Sequence, residues 1–289
     1  MQSRSPAAST DTAKPASRQR MRAAASIASK RRGGHVLDDL RQSGGAKIRL
    51  PRGDGRALSA VLLNTAGGLT GGDELRWHAA AGRCSRLSVA TAASEKIYRT
   101  DGPASCQITS LTVASGARLD WLPQETILFD GARLERALEA QLAADARLLA
   151  VEALAFGRQA SGETLRTAAV HDTWRVYREG RLLHAESLRI DREDWHDRAR
   201  GRGTLHGVGA AATVLYCAAD GDEALTRLAD ELHAMIEQPT VSAIGGASAM
   251  SGRVVLRLVA RSGFELRRIL IPCLARLQDD APVPRVWHV

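Results

Sequence analysis

Four short segments of the sequence place charged side chains beside Gly or Pro at the ends of apolar stretches. Their acidic members include Asp73, Glu95, Asp130 and Glu163. Loops at strand ends can aim such side chains from a rigid scaffold, so we expect the four carboxylates to form one polar cluster. Two carboxylates about 5–10 Å apart could hydrolyse a glycosidic bond, and Asp73 and Glu163 are the candidates. For each residue taken singly, a strand-end salt bridge is an equally good interpretation.

The first segment, residues 62–73, is the most unusual in composition. It contains four glycines within six residues, at Gly67, Gly68, Gly71 and Gly72. Paired glycines allow a positive φ and a close backbone approach, which predicts a tight connection between two strands with at least one glycine at φ > 0. A phosphate-binding loop would need Lys after its last glycine, whereas Asp73 stands there and would repel phosphate. A glycine-rich hairpin is the alternative interpretation.

The other reactive residue types form no catalytic pattern. The eight histidines lack metal-ligand spacing, and His171-Asp172 and His196-Asp197 are more typical of surface pairs. Ser161 lacks the Gly-x-Ser-x-Gly pattern of a nucleophile elbow. The four cysteines form no CxxC pair and are typical of buried thiols in a reducing compartment. Apart from the candidate carboxylate pair, the sequence therefore predicts a cytoplasmic protein with no evident catalytic residues.

The net charge of +8 is concentrated at the N-terminus. Residues 1–35 hold eight basic residues and one acidic residue, so residues 36–289 carry a net charge of +1. A nearly neutral body argues against a nucleic-acid surface, and no apolar run approaches the roughly 18–20 residues that span a bilayer. The basic, Ser/Ala-rich residues 1–34 resemble a transit peptide, but a disordered tail is the preferred interpretation. Residues 35–289 are then expected to form one domain.

The elements that must position these side chains are mostly short strands, separated by Gly, Asp, Pro and Ser clusters. Strands are predicted at 46–50, 58–63, 74–79, 84–92, 105–113, 118–121, 126–129, 133–142, 147–155, 165–177, 181–190, 213–217, 240–244 and 254–259. A period of 3.6 predicts helices at 222–237, with Leu232 buried, and at 262–278. Ser262 and Glu265 are predicted to cap the second helix, which Pro272 should kink. Residues 191–207 are predicted to form a loop.

Together the segments resemble the UreD (also called UreH) family of urease accessory proteins. The resemblance rests on residues 63–73, 95–99, 122–132 and 157–163, on their order and spacing, and on the closing Pro-Arg-Val-Trp at 284–287. It covers about residues 36–289, and the Leu-Pro-Gln-Glu-Thr-Ile-Leu-Phe-Asp-Gly run at 122–131 is long and specific. The motif positions are Gly67, Gly68, Gly71, Gly72, Lys96, Tyr98, Pro123, Gln124, Glu125, Gly131, Arg158 and Gly162.

The resemblance implies a mainly β protein, a β-helix-like stack of short strands with two C-terminal α-helices. It also implies a non-enzymatic chaperone of urease maturation, whose partners are the urease apoprotein, the adaptor accessory protein F and the nickel-binding GTPase accessory protein G. No cofactor would be tightly bound. Ni²⁺ would pass transiently through an internal tunnel, with Asp73, Glu95, Asp130 and Glu163 as contacts, and a tight Cys/His site would instead trap the ion. The alternative is a β-helical carbohydrate-active enzyme.

Overall fold

The computed structural model describes residues 20–158, 161–163, 165–190, 207–238 and 242–288. These residues form two large β-sheets and a layer of two helices. The strands are β1 (Arg22–Arg31), β2 (His35–Ser43), β3 (Ala46–Arg49), β4 (Leu58–Asn64), β5 (Glu74–Ala81), β6 (Arg86–Thr91), β7 (Glu95–Ile97), β8 (Ser105–Val113), β9 (Arg118–Leu122), β10 (Thr126–Leu128), β11 (Ala132–Leu142), β12 (Arg147–Phe156), β13 (Ala168–Arg178), β14 (Arg181–Ile190), β15 (Ala210–Cys217), β16 (Ile244–Met250) and β17 (Arg253–Ala260). The helices are α1 (Asp222–Ile236) and α2 (Gly263–Leu277), followed by a 3₁₀ turn at Arg285–His288.

The chain winds through the two sheets as stacked coils, which confirms the predicted β-helix-like stack. One sheet has seven strands in the order β14-β13-β11-β8-β5-β1-β2. The other has ten strands, eight of them in the order β16-β17-β15-β12-β9-β6-β4-β3, with β10 and β7 joined to it through β12. The strands from β4 to β13 enter the two sheets by turns and pair in parallel with the preceding and following coil. The short strands β7 and β10 form a third face, because β7 pairs with β10 and β10 with the end of β12.

The core of the stack lies between the two sheets and follows from the period-2 pattern of the strands. In β11, alternate residues from Ala132 to Leu142 are buried, and the residues between them are exposed or half-buried. Successive side chains of a strand point to opposite faces, so each such strand presents one face to the core. The inward faces of both sheets meet in one apolar cluster that includes Trp77, Trp121 and Trp174.

The two helices cover part of the outer face of the ten-stranded sheet. They pack in a second apolar cluster with outward residues of that sheet, among them Leu149 and Leu256. The predicted helices are confirmed within one residue at each end, and Leu232 is fully buried. Ser262 Oγ accepts a hydrogen bond from the Glu265 amide at 3.2 Å, as the predicted cap requires. No helix in the described ranges is long and apolar enough to cross a bilayer.

The expectation of a disordered tail up to residue 34 is wrong for the strand β1. Its alternate residues Ala23, Ala25, Ile27 and Ser29 are buried in the core. The strand pairs in parallel with β5 along its length and antiparallel with β2. Alanine and serine give a weak local strand signal, and the backbone ladder with β5 supplies the order that the local composition does not. Residues 1–19 lie outside the described residues.

The strand predicted at 240–244 is also misplaced. Ser242 and Ala243 are not in a strand, and β16 begins at Ile244 and continues to Met250. Gly245 and Gly246 at its start weaken the sequence signal, whereas antiparallel pairing with β17 fixes the strand in the structure. Residues 239–241, and the predicted loop at 191–207 apart from Gly207, lie outside the described residues.

Candidate functional site

The four motif segments meet along the third face of the stack, at what we call the corner. The segment 64–73 joins β4 in one sheet to β5 in the other, so it is a corner between sheets and the hairpin interpretation is wrong. Leu69 forms a parallel bridge with Ile97, and Leu69 N–H donates to Lys96 O at 2.7 Å. The next coils continue this ladder, because Phe129 N–H donates to Ile97 O at 3.0 Å and Gly157 N–H to Leu128 O at 2.9 Å. Backbone pairing between coils therefore brings distant motifs together.

Glycine is required where the first motif touches the next coil. Gly67, Gly68 and Gly72 have φ values of 77°, 153° and 83°, which confirms the predicted positive φ. A Cβ on Gly68 would lie 2.4 Å from Tyr98 Cε2 and 2.7 Å from Lys96 O. A Cβ on Gly67 would meet nothing within 4 Å. The backbone of the turn is thus packed directly against the coil that carries Lys96 and Tyr98.

At the outer edge of the corner, two aromatic rings and an arginine side chain contact one another. Tyr98 is 36% exposed, and its hydroxyl donates to Gly67 O at 3.1 Å. The Tyr98 and Phe129 rings meet edge to face with 4.9 Å between their centroids. The Arg158 guanidinium lies 4.6 Å from the centre of the Phe129 ring and donates to Glu163 Oε2 at 3.1 Å. Aromatic and arginine side chains fixed in this way are typical of protein-binding hot spots.

Two of the predicted carboxylates are tied to the glycine turn. Asp73 is 7% exposed, and its two oxygens accept hydrogen bonds from the amides of Met21 at 2.8 Å and Thr70 at 2.9 Å. It therefore fastens the start of β1 to the turn. Glu95 accepts a hydrogen bond from Asn64 Nδ2 at 3.0 Å. Burial raises the pKa of Glu95 to about 7, although hydrogen bonds from Asn64 and the Lys96 amide oppose the shift. Glu95 is thus divided between its charged and neutral forms near neutral pH.

The other two predicted carboxylates lie together on the next coils. Asp130 Oδ1 accepts hydrogen bonds from the Arg166 and Thr167 amides, both at 2.9 Å. Burial acts to raise the pKa of Asp130, but these two amides and the nearby positive charges lower it below its ordinary value. Hydrogen bonds from Arg158 lower the pKa of Glu163 in spite of partial burial, and the Asp130 amide also donates to Glu163. Both groups are therefore stabilised as carboxylates.

The four predicted carboxylates do not form one closed metal site. Among the residues that the structure describes, no three His, Cys, Asp or Glu side chains form a group that could hold a metal ion. Each of the four carboxylates has its own amide, guanidinium or carboxamide partner. The corner therefore combines separately bound carboxylates with an exposed surface of aromatic and arginine side chains.

The Leu-Pro-Gln-Glu motif joins the corner to the helical layer. Arg267 of α2 donates to Glu125 Oε1 at 2.5 Å and to Gln124 Oε1 at 2.7 Å. Glu125 is buried, so this charge-assisted pair is shielded from solvent. The Arg267 guanidinium also lies 5.6 Å from the Trp287 ring, and Trp287 Nε1 donates to Leu122 O at 3.1 Å. The motif and the closing Pro-Arg-Val-Trp thus meet around one arginine.

A buried ionic cluster that the sequence analysis missed lies between the sheets. It contains Asp172, so the interpretation of this residue as part of a surface pair is wrong. Arg136 of β11 donates to Glu152 Oε2 of β12 and to Asp172 Oδ2 of β13, both at 2.6 Å. Trp121 Nε1 donates to the other Glu152 oxygen at 3.2 Å. Burial raises the pKa of Glu152, and the Arg136 charge opposes this rise while the Asp172 charge adds to it. Burial alone would lower the pKa of Arg136, but its two carboxylate partners raise it.

Further polar groups extend this cluster in both directions along the interior. Gln107 is paired with Arg136 in the strand register, and Thr213 with Glu152, so each shares the inward face. Thr213 Oγ1 donates to Glu186 Oε1 at 3.2 Å, and Arg257, whose side chain is 61% exposed, donates to Glu186 Oε2 at 2.9 Å. We call this series the interior polar row, formed by Gln107, Arg136, Glu152, Asp172, Thr213 and Glu186. It connects the middle of the stack to Arg257 at the surface.

Several polar atoms in this row and beside it have no hydrogen-bond partner among the described residues. They are Gln107 Oε1, Thr109 Oγ1, Arg136 Nε and Asp172 Oδ1. Buried polar groups are normally satisfied, and water is the usual partner where protein groups do not reach. A signal for the row is present in the sequence, because Arg136 stands between Leu134 and Leu138 at an inward position of an alternating strand.

The fold and the site together define a class of protein. They describe a β-solenoid with a helical layer on one sheet, a glycine-built corner and a charged interior. A family model described as UreD urease accessory protein matches residues 21–288. The chain belongs to the UreD family of urease accessory proteins. The match begins at residue 21, which agrees with β1 as part of the fold.

Curated relatives cover nearly the same length. The chain is 46% identical over 280 residues to the urease accessory protein UreD of Chelativorans sp. (strain BNC1), covering 96% of this chain and 98% of that protein. It is 45% identical over 254 residues to the UreD protein of Rhizobium leguminosarum bv. viciae, covering 88% and 89%. It is 40% identical over 280 residues to the UreD protein of Agrobacterium fabrum (strain C58 / ATCC 33970), covering 96% and 95%.

Proposed function

We propose that the chain is a non-catalytic scaffold in urease maturation. It links the nickel-binding GTPase, accessory protein G, through the adaptor accessory protein F to the urease apoprotein, and GTP hydrolysis belongs to the partner. Nickel is the cargo, and it passes through the interior of the stack to the urease active site. Membership of the UreD family supports the role in urease maturation, and the interior polar row supports the passage of nickel.

The interior polar row is the observation that carries this proposal. A core between two sheets is normally apolar, because a buried charge is costly unless it is paired. Here two acidic side chains, Glu152 and Asp172, face the single guanidinium of Arg136, so an excess negative charge exists whenever both are ionised, and several polar atoms beside them lack protein partners. Water that satisfies those atoms would keep the row hydrated, and the excess negative charge would favour a cation. A hydrated path of carboxylates lets Ni²⁺ move on, whereas a thiolate or imidazole site would retain it.

The corner carboxylates remain proposed nickel contacts, with unequal roles. Glu95 is the strongest of the four, because it is half-buried and forms no ion pair with a described side chain, although the nearby Lys96 charge acts to lower its pKa. Asp73 uses both oxygens on backbone amides, and Asp130 and Glu163 are held by amides and by Arg158. We therefore expect Asp73→Asn to weaken the turn as well as any nickel contact. Glycoside hydrolysis by Asp73 and Glu163 is not proposed, since both carboxylates already serve local structure.

The test is co-expression of the chain with urease and the accessory proteins. Glu152→Gln keeps the side-chain shape and leaves Arg136 paired with Asp172, so folding and assembly should survive. Nickel content and urease specific activity should fall for Glu152→Gln, and also for Glu95→Gln. The matched control is Glu139→Gln, because Glu139 lies on the exposed face of β11.

Two outcomes would contradict the proposal. Full nickel content with Glu152→Gln and Glu95→Gln would make the conduit role of these residues wrong, though the scaffold role would survive. Loss of the accessory proteins from a pull-down would make the residues structural or interfacial. The control should match the unmodified chain in nickel content and in recovery of the partners.

A further inference from the structure

An open groove lies on the part of the ten-stranded sheet that the helices leave uncovered. Its cavity volume is about 640 Å³, and it runs between the loop of residues 51–57 and the C-terminal segment 278–286. Outward residues of β4 and β6, including Ser59, Val61 and Ser88, form its floor. The walls are apolar and rich in proline, with Pro51, Ala57, Pro282, Val283, Pro284 and Val286. We call this site the C-terminal groove.

The charges that line the C-terminal groove are unbalanced. Five arginines and three aspartates line it, which gives a net charge of +2. Each aspartate is already paired, because Asp54 forms an ion pair with Arg56, while Asp120 and Asp279 both bind Arg118. The third Arg118 bond goes to Leu277 O at 2.7 Å, so each nitrogen of this buried guanidinium already donates a hydrogen bond within the fold.

Three arginines are left at the rim of the groove. Arg52, Arg86 and Arg285 have exposed side chains, and none of them forms an ion pair with a described residue. They come from three separate elements: the loop before β4, the strand β6 and the C-terminal segment. Arginine binds carboxylates through two parallel hydrogen bonds, and its charge cannot be removed at physiological pH.

We propose that the C-terminal groove binds an acidic peptide segment of a partner protein. Apolar side chains of the segment pack on the proline and valine walls, and its carboxylates pair with Arg52, Arg86 and Arg285. Proline walls are already rigid, so little conformational entropy is lost when the segment binds. The arginines project from separate elements beside apolar walls, which suits a peptide with several carboxylates better than a single small anion.

The test uses the full chain and two synthetic peptides of ten residues. In one peptide Glu alternates with Val or Pro, and in the other every Glu is replaced by Gln. Binding is followed by fluorescence anisotropy at low and high salt. We expect the acidic peptide to bind at least about tenfold more tightly than its Gln counterpart, and to weaken at high salt.

Charge reversal locates the binding site. Arg52→Glu and Arg285→Glu should each weaken the acidic peptide about tenfold or more. The control Arg181→Glu reverses an exposed arginine at the edge of the other sheet and should leave the affinity unchanged. Far-UV circular dichroism of each variant shows whether the fold is kept, and if one rim variant fails to fold, the other still reports.

Three results would overturn the proposal. They are equal affinity for the two peptides, an equal effect of Arg181→Glu, and displacement of the peptide by citrate at a similar concentration, which would indicate a small-anion site. The assay contains neither nickel nor urease. Its outcome is therefore independent of whether the chain conducts nickel.

Discussion

Replacement of Arg136 by Met is the sharpest test of the charged interior. The arginine side chain is 2% exposed and serves Glu152 and Asp172, whose side chains are 3% and 8% exposed. Arg136→Met keeps an apolar stem but leaves two buried carboxylates without a positive charge. Removing one partner of a buried ion pair costs about 3–5 kcal/mol. Since one arginine balances two carboxylates here, we expect a loss near the upper end, a large part of the roughly 5–15 kcal/mol that stabilises a domain.

The pH dependence gives the prediction a second signature. Burial raises the pKa of Glu152 in the native chain, and loss of Arg136 should raise it further. The folded state then binds a proton at Glu152 more readily than the unfolded state does. The free energy of unfolding therefore falls as the pH rises above the pKa of a glutamate in the unfolded chain, about 4.3. The destabilisation by Arg136→Met should therefore be larger at pH 8 than at pH 5.5.

A compensated variant separates charge from packing. Adding Glu152→Gln and Asp172→Asn to Arg136→Met removes both carboxylate charges and keeps a carbonyl oxygen for Trp121 Nε1. About 2 kcal/mol or more of the lost stability should return, because a neutral amide is less costly to bury than an unpaired charge. The control is Arg133→Met, on the same strand as Arg136. It removes only the hydrogen bond from Arg133 to Gly102 O and should cost about 1 kcal/mol.

Urea unfolding followed by circular dichroism and tryptophan fluorescence measures each free energy of unfolding at both pH values. A cost of less than about 1 kcal/mol for Arg136→Met at pH 8 would refute the reasoning. Failure of the compensated variant to recover stability would also refute it, because packing and not charge would then be the cause.

The remaining predictions concern the corner and the helical layer. Gly68→Ala should cost about 2–4 kcal/mol more than Gly67→Ala, because a Cβ at position 68 meets backbone and ring atoms and a Cβ at position 67 meets none. Denaturant unfolding of both variants measures this difference, and equal losses would contradict the prediction. The pKa of Glu95 is raised to about 7, so the stability of the wild-type chain should fall by up to about 3 kcal/mol between pH 4.5 and 7. Measured as Tm against pH, this decrease should vanish in Glu95→Gln, and an unchanged decrease would exclude Glu95 as its source. Leu232→Ala should cost about 2–5 kcal/mol in urea unfolding because the side chain is fully buried, and a negligible loss would mean that α1 contributes little to the fold.

Local periodicity was enough to predict much of this fold from the sequence. The predicted bounds of β8 and β14 agree with the structure to the residue, because alternation of inward and outward side chains is a property of the strand itself. The two helices were predicted within one residue at each end, from a 3.6-residue period and, for α2, a Ser cap. The glycine turn is also predictable from local sequence, because a positive φ and a close backbone contact require glycine at that position.

Tertiary structure decided what the local pattern could not. The strands β1 and β16 are rich in Ala, Ser and Gly, and their order comes from ladders with β5 and β17. The partners of Asp73 and Asp130 are backbone amides, which carry no signature in the side-chain sequence.

The interior polar row depended most on the tertiary structure. Arg136, Glu152 and Asp172 lie on three strands in two sheets, and the parallel register of the coils brings them within hydrogen-bonding distance. The alternation of β11 places Arg136 on the inward face, but only long-range pairing decides which charges from other strands meet it there. From a local pattern, a charged residue is normally predicted to lie on the solvent-exposed face of its strand. Its burial is offset only by partners that are distant in the sequence, which the pattern does not show.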